Sequence, residues 1–200
     1  NVNTLLGVAQ WISRTDFGNG YILIVEMGAY RRGDIKKLCV LVRPNVGILT
    51  GLNAAHRERF GSLEATVATK CELIDALPQG GIGLWNKDSI SLRDAIEKRA
   101  PQWKRLGIRV LPYGGDLDKQ HPYKLEFIRM LLGGLEGYEE GEELKIECTP
   151  VGEISMRVRG SSPKDPEWLV DEKIRMLGTH LAGPIGASLA LARILGLSRE

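Results

Sequence analysis

The spacing of apolar and polar residues changes several times along this chain, and each change marks a predicted element. Apolar residues recur at helical spacing over residues 5–12, and Gly18-Asn19-Gly20 then interrupts the pattern. Residues 21–27 form a continuous, β-branched-rich apolar run, which predicts a parallel strand buried on both faces. Helical period returns over 35–42, residues 46–50 read as the next strand, and 62–77 read as a helix with Ser62 as its N-cap. A strand over 82–85, a helix over 91–106 and a strand over 108–112 continue the alternation. Strand and helix in turn predict an α/β fold, a mostly parallel sheet with helices on both faces.

Beyond about residue 114 the pattern differs. Residues 122–135 read as a helix, bounded by Gly133-Gly134 and followed by the acidic turn Glu139-Glu140-Gly141-Glu142-Glu143. Residues 144–148 and 154–158 alternate, which predicts an antiparallel hairpin around Pro150-Val151-Gly152. Residues 160–166 read as a loop, 168–176 as an edge strand and 180–195 as a helix ending at Gly196. A small antiparallel β section near residues 144–176 is therefore expected beside the parallel sheet.

Composition narrows the function classes. At 200 residues the chain suits one domain, and 27 Lys+Arg against 25 Asp+Glu leave a net charge of +2, with no electrostatic argument for a nucleic-acid partner. Cys39, Cys71 and Cys148 lie far apart without a C-x-x-C pair, which fits buried thiols in a reducing compartment and predicts a cytoplasmic protein. No apolar stretch approaches the roughly 18 residues of a membrane span. Walker-type G-x-x-x-x-G-K-[ST], G-x-S-x-G and H-E-x-x-H are all absent from the sequence, so hydrolase readings have no motif behind them.

Candidate chemistry gathers at the expected carboxyl ends of strands, where an open α/β sheet places its ligand crevice. Glu26 ends the run 21–27; its carboxylate suits Mg²⁺, or alternatively a helix cap or a pairing with Arg31 or Arg32. His56 follows the strand 46–50 and reads either as a ligand facing the same crevice or as a hydrogen-bonded packing residue. Lys70 lies within the helix 62–77 among Ala68, Thr69, Cys71 and Leu73. That neighbourhood suggests shelter, where a lysine loses its proton more readily and its amine can take up CO₂ as a carbamate; solvation is the alternative. Asn86 and Asp88 follow the strand 82–85, as site residues or as a turn.

As a set, these residues resemble the Mur ligase family, and within it the branch that joins D-alanyl-D-alanine to a UDP-muramoyl-tripeptide. The likeness is carried by Val25-Glu26-Met27-Gly28-Ala29 with Gly33-Asp34-Ile35, Arg43-Pro44, Ala55-His56, Phe60-Gly61-Ser62-Leu63-Glu64, Lys70-x-Glu72-Leu73 and Asn86-x-Asp88. Asn3-Thr4-x-x-Gly7-Val8 and Leu177-Gly178-Thr179-His180 add to it. The resemblance implies the family's P-loop NTPase-like central domain over residues 1–200, with the phosphate-loop segment expected upstream of Asn1 and the flanking domains outside the chain. It implies ATP and Mg²⁺ as cofactors, with a nucleotide-sugar peptide and a D-Ala-D-Ala dipeptide as substrates. Glu26 and His56 become metal ligands, His56 and the carbamylated Lys70 catalytic groups, Asn86, Asp88 and His180 nucleotide contacts, and Asn3 and Thr4 substrate contacts. Leu181, Pro184 and Gly51 depart from the family's usual asparagines. Together with the missing phosphate loop, they also fit a non-catalytic binding or scaffold module. A ligase of the folylpolyglutamate or cyanophycin branch is a further alternative.

Overall fold

The fold is that of a computed structural model, which describes residues 3–18, 22–52, 62–113, 126–131, 143–150, 155–162 and 165–175, with residues 188, 191, 192 and 195 near the end. The chain divides into two compact units, one of Asn1–Gly83 with Ser91–Val110 and the other of Leu84–Ile90 with Leu111–Glu200.

Among the described residues of the first half, four helices and three strands follow one another. They are α1 (Leu5–Arg14), α2 (Asp34–Val42), β1 (Val46–Leu49), α3 (Leu63–Asp75), β2 (Ile82–Asn86), α4 (Ile90–Arg105) and β3 (Arg109–Tyr113). The strands form a mostly parallel sheet in the order β1-β2-β3. Local signals explain the helix starts. Thr4 Oγ1 accepts the Gly7 N–H at 3.3 Å to cap α1, and Ser62 Oγ accepts the Ala65 N–H at 3.0 Å to cap α3 as expected. Arg43 ends α2 in the left-handed region, with φ at 51°, ahead of Pro44.

Two glycines set the height of α3 over the sheet. A Cβ at Gly47 of β1 would meet Leu73 Cγ at 2.9 Å, and one at Gly83 of β2 would meet Ile74 Cδ1 at 2.7 Å. The helix lies directly on strand backbone at both points, closer than any side chain would permit. Beside it, Val8 of α1 packs with Ile35, Leu38 and Cys39 of α2, and Val25, Met27 and Leu73 close over that cluster. Asp75 at the end of α3 receives the Trp103 indole N–H at 2.8 Å and the Arg99 guanidinium at 2.8 Å, which ties α3 to α4. Trp103 is fully buried, so this partner satisfies the indole donor.

Three expectations are corrected. Residues 22–29 are not a strand. Burial alternates along them, with Ile22 51 % and Ile24 82 % exposed while Leu23, Val25 and Met27 are half-buried, so the run is apolar on both faces but covered on one. A strand is defined by its ladder, and among the described residues the backbone bond reaching this segment from elsewhere is Gly28 N–H to Asn3 O, 2.7 Å. The expected helix 122–135 contains β4 (Glu126–Leu131), followed by β5 (Glu143–Pro150), β6 (Ser155–Ser162) and β7 (Asp165–Arg175). These form an antiparallel sheet in the order β4-β5-β6-β7, so the expected hairpin is the centre of a four-stranded meander. A short apolar run reads equally as helix or strand, and pairing decided it: β4 joins β5 over six residues, placing Ile128 opposite Ile146 and Met130 opposite Leu144. The expected loop 160–166 is mostly strand, with a register irregularity at Ser161/Ser162. Along the edge strand β7, Asp171, Lys173 and Arg175 are exposed and Ile174 between them is half-buried, the period of a one-faced sheet.

The expected closing helix lies mostly outside the described residues. Ser188, Leu191 and Ala192 are helical, and Leu195 N–H donates to Leu191 O at 2.9 Å.

Candidate functional site

Asn3, Glu26 and Lys70 come together in the first unit. Asn3 precedes α1 and reaches across to residues 26–28 twice: its backbone oxygen accepts the Gly28 N–H at 2.7 Å, and its side-chain nitrogen donates to Glu26 Oε1 at 3.0 Å. Lys70, in the middle of α3, is half-buried, and that burial lowers its pKa below the usual lysine range. The negative charge of Glu26 opposes that shift. An exposed carboxylate, an amide that orients it and a partly buried amine that feels its charge thus interact within the first unit.

The loop between Glu26 and α2 is fixed by two carboxylates. Asp34 Oδ2 accepts the N–H groups of Tyr30 at 3.0 Å and Arg31 at 2.9 Å. Glu72, one turn-half beyond Lys70 on α3, accepts the Gly33 N–H at 2.7 Å and the Lys36 N–H at 3.1 Å. Glu72 therefore caps α2 from another helix, and Gly33 enters that helix with φ at 91°, a left-handed turn suited to glycine. Sequence alone assigns Glu72 no role, because no local pattern ties it to a helix start 39 residues earlier. Thr4 serves as the α1 cap and also lines a cavity of about 260 Å³ with Gly28, Tyr30, Asp34 and Lys37.

Cys71 and Cys39 sit among these groups, and burial pushes both thiols up to about 11. Neither is a nucleophile near neutral pH.

Asn86 and Asp88 belong to the second unit. Asn86 ends β2, and its Oδ1 accepts the Asp88 N–H at 3.0 Å while its backbone oxygen accepts the Ser89 N–H at 3.1 Å, an Asx-type turn. Lys87 N–H donates to Tyr113 O at 2.8 Å, which fastens the turn to β3. Burial, with the Asp88 charge adding to it, drives the Tyr113 phenol well above its ordinary range. His56 and His180 lie outside the described residues.

Among the described residues no three His, Cys, Asp or Glu side chains form a cluster able to hold a metal ion. What the described residues offer a hard cation is the Glu26 carboxylate, exposed and oriented through one oxygen, whose chemistry fits Mg²⁺. No helix among the described residues is long and apolar enough to cross a membrane.

Comparison with known proteins follows the same lines. Residues 1–152 match the family model described as the Mur ligase middle domain. The UDP-N-acetylmuramoyl-tripeptide--D-alanyl-D-alanine ligase of Escherichia coli is 35 % identical over 89 residues, 44 % of this chain and 20 % of that protein. The Mycobacterium leprae ligase of the same name is 37 % identical over 86 residues, 43 % of this chain and 16 % of that protein. The matched segment thus spans a fifth or less of these relatives' length. Among solved structures, MurF from Acinetobacter baumannii matches with a TM-score of 0.69 at 18 % identity, over 100 % of this chain and 36 % of that one. MurF ligase from Thermotoga maritima in complex with ADP matches with a TM-score of 0.60 at 24 % identity, over 92 % and 35 %. At such identities the structures speak for the fold.

Proposed function

Because the chain belongs to the Mur ligase family through its middle domain, we propose that the full-length protein is an ATP-dependent ligase that adds D-alanyl-D-alanine to UDP-N-acetylmuramoyl-tripeptide. ATP phosphorylates the terminal carboxylate of the tripeptide, the dipeptide amine attacks the acyl phosphate, and collapse of the tetrahedral adduct releases phosphate and leaves an amide. The supporting observation is the pairing of Glu26 and Lys70: a carboxylate whose charge acts on a partly buried amine within the same unit.

Each residue's part follows from its surroundings. Glu26 supplies an oriented oxygen for Mg²⁺, with His56 as its partner ligand. When bound, the magnesium neutralises charge that develops on the transferring phosphoryl oxygens. Lys70, held toward its neutral form by burial, has a lone pair with which to attack CO₂. A nitrogen–carbon bond forms as one carbon–oxygen π bond of CO₂ opens, one amine proton leaves to solvent, and the neutral amine becomes an anionic carbamate. Glu72, fixing the start of α2 from the same helix, keeps Lys70 and the loop after Glu26 in constant relation. Asn86, Asp88 and His180 serve the nucleotide; the Asx turn fixes the Asn86 amide. Thr4 and the adjoining cavity face the nucleotide-sugar peptide.

The test is Lys70→Ala in the full-length protein, assayed for amide formation from UDP-muramoyl-tripeptide, D-Ala-D-Ala and ATP. The expected result is loss of ligation, with partial recovery on adding acetate or formate, which replace the carbamate oxygens. Undiminished ligation by the alanine variant removes Lys70 from the mechanism.

A further inference from the structure

Asn3 is expected from the family resemblance to face the sugar-nucleotide substrate, but its side chain is engaged elsewhere. The nitrogen of the amide lies 3.0 Å from Glu26 Oε1. A carboxylate only accepts, so the NH₂ end must face it, and the amide orientation follows from chemistry. The backbone makes the placement firm: Asn3 O accepts Gly28 N–H at 2.7 Å, two residues beyond Glu26.

Gly28 shows how closely the two segments meet. A Cβ there would lie 3.0 Å from Asn3 O, 3.1 Å from Asn3 Cγ and 3.2 Å from Asn3 Oδ1. A methyl at this position is in tight contact with the asparagine, which must give by a few tenths of an ångström to admit it. Asn3 is therefore seated closely against Gly28, and its amide is directed at one carboxylate oxygen.

We propose that Asn3 is a positioning residue: its side-chain amide holds one oxygen of Glu26 so that the other is presented to a divalent cation. This rests on the ligase reading, in which Glu26 is a metal ligand. A carboxylate left to rotate must be ordered by the cation itself, whereas one already held contributes its full bond. Removing such an outer hydrogen bond typically weakens metal affinity about 10–100-fold. An exposed bond of this kind belongs at the lower end.

The experiment measures Mn²⁺ binding, by electron paramagnetic resonance with ADP present, to the full-length wild type and to Glu26→Gln, Asn3→Ala and Gly28→Ala variants. Asn3→Ala keeps the backbone oxygen that receives the Gly28 N–H, so slow exchange of the Gly28 amide shows the fold intact. If alanine loosens that amide, the similarly shaped Asn3→Leu takes its place. The expected result is about tenfold weaker Mn²⁺ binding for Asn3→Ala, a smaller loss for Gly28→Ala, and an unchanged KM for the nucleotide-sugar peptide with a raised Mg²⁺ requirement. Wild-type affinity for Mn²⁺ in Asn3→Ala alongside weakened binding in Glu26→Gln overturns the positioning role while leaving the ligase reading intact. Equal Mn²⁺ binding by Glu26→Gln and wild type removes Glu26 as a ligand, and both readings fall with it.

Discussion

Substituting alanine for Gly83 tests whether the approach of α3 to the sheet fixes the geometry of this unit. The added methyl would stand 2.7 Å from Ile74 Cδ1, inside any real carbon–carbon contact, and Ile74 is fully buried. Overpacking of this kind costs about 1–3 kcal/mol. The φ of Gly83 is not positive, so alanine fits the backbone and restores about 0.4–1 kcal/mol by restricting the unfolded chain. A net loss of about 1–2 kcal/mol follows. Ile74→Val alone removes Cδ1 and costs about 0.5–1.5 kcal/mol. In the double variant the nearest contacts become Cγ2 at 3.3 Å and Cγ1 at 3.5 Å, and the alanine methyl refills the space that Cδ1 left. The pair should therefore cost less than the sum of the singles by about 1–2 kcal/mol, a coupling well outside the roughly 0.5 kcal/mol scatter of independent sites. The assay is urea unfolding of the four full-length proteins followed by tryptophan fluorescence, to which the buried Trp103 contributes. Additive losses refute the contact as the cause.

Two other perturbations bear on the same unit. Asp75→Ala strands the fully buried Trp103 indole N–H and breaks the Arg99 pair. A stability loss of about 1–3 kcal/mol from the orphaned donor is expected in urea unfolding, with little added by the partly exposed ion pair; in a Trp103→Phe background the same substitution should cost clearly less, and an undiminished loss there counts against the indole as the cause. Lys70→Met keeps the stem and removes the charge. Burial lowers the amine's pKa from 10.5 in the folded state, so between the folded and unfolded values the unfolded chain binds more protons and wild-type stability rises with pH. Below both values the penalty is fully present. In CO₂-free buffer the methionine variant should thus hold a stability advantage at neutral pH that shrinks as pH climbs toward 10.5, read from unfolding free energies across that range; a gap that is constant with pH contradicts the desolvation account.

How much was legible depends on how far apart the interacting groups lie in sequence. The caps at Thr4 and Ser62 bridge three residues each, and Ser62 was readable for that reason. The alternation of β1, α3, β2, α4 and β3 follows from period and chain breaks, which are equally local. Residues 22–29 show the reverse: their composition speaks for a strand covered on both sides, but coverage is supplied by neighbours, and Ile24 stands 82 % exposed. In β4, Phe127, Ile128, Met130 and Leu131 satisfy either period, and pairing with β5 decided the outcome. The site divides in the same way. Glu26 and Lys70 could be chosen as candidates from residue type and place along the chain. The hold of Asn3 on Glu26 and of Glu72 on Gly33, across 23 and 39 residues, exists only in three dimensions.

Helix α3 links the core to the chemistry. Ser62 fixes where it starts, Gly47 and Gly83 fix how deeply it lies, and Asp75 fastens its end to α4. Between these points it carries Lys70 toward Glu26 and holds the start of α2 through Glu72. A rigid helix displaced at one point moves at the others, so a few tenths of an ångström forced at Gly83 must reappear at Lys70 or at the Glu72 bonds to Gly33 and Lys36. Packing defects under α3 should accordingly disturb the site in proportion to the shift they cause.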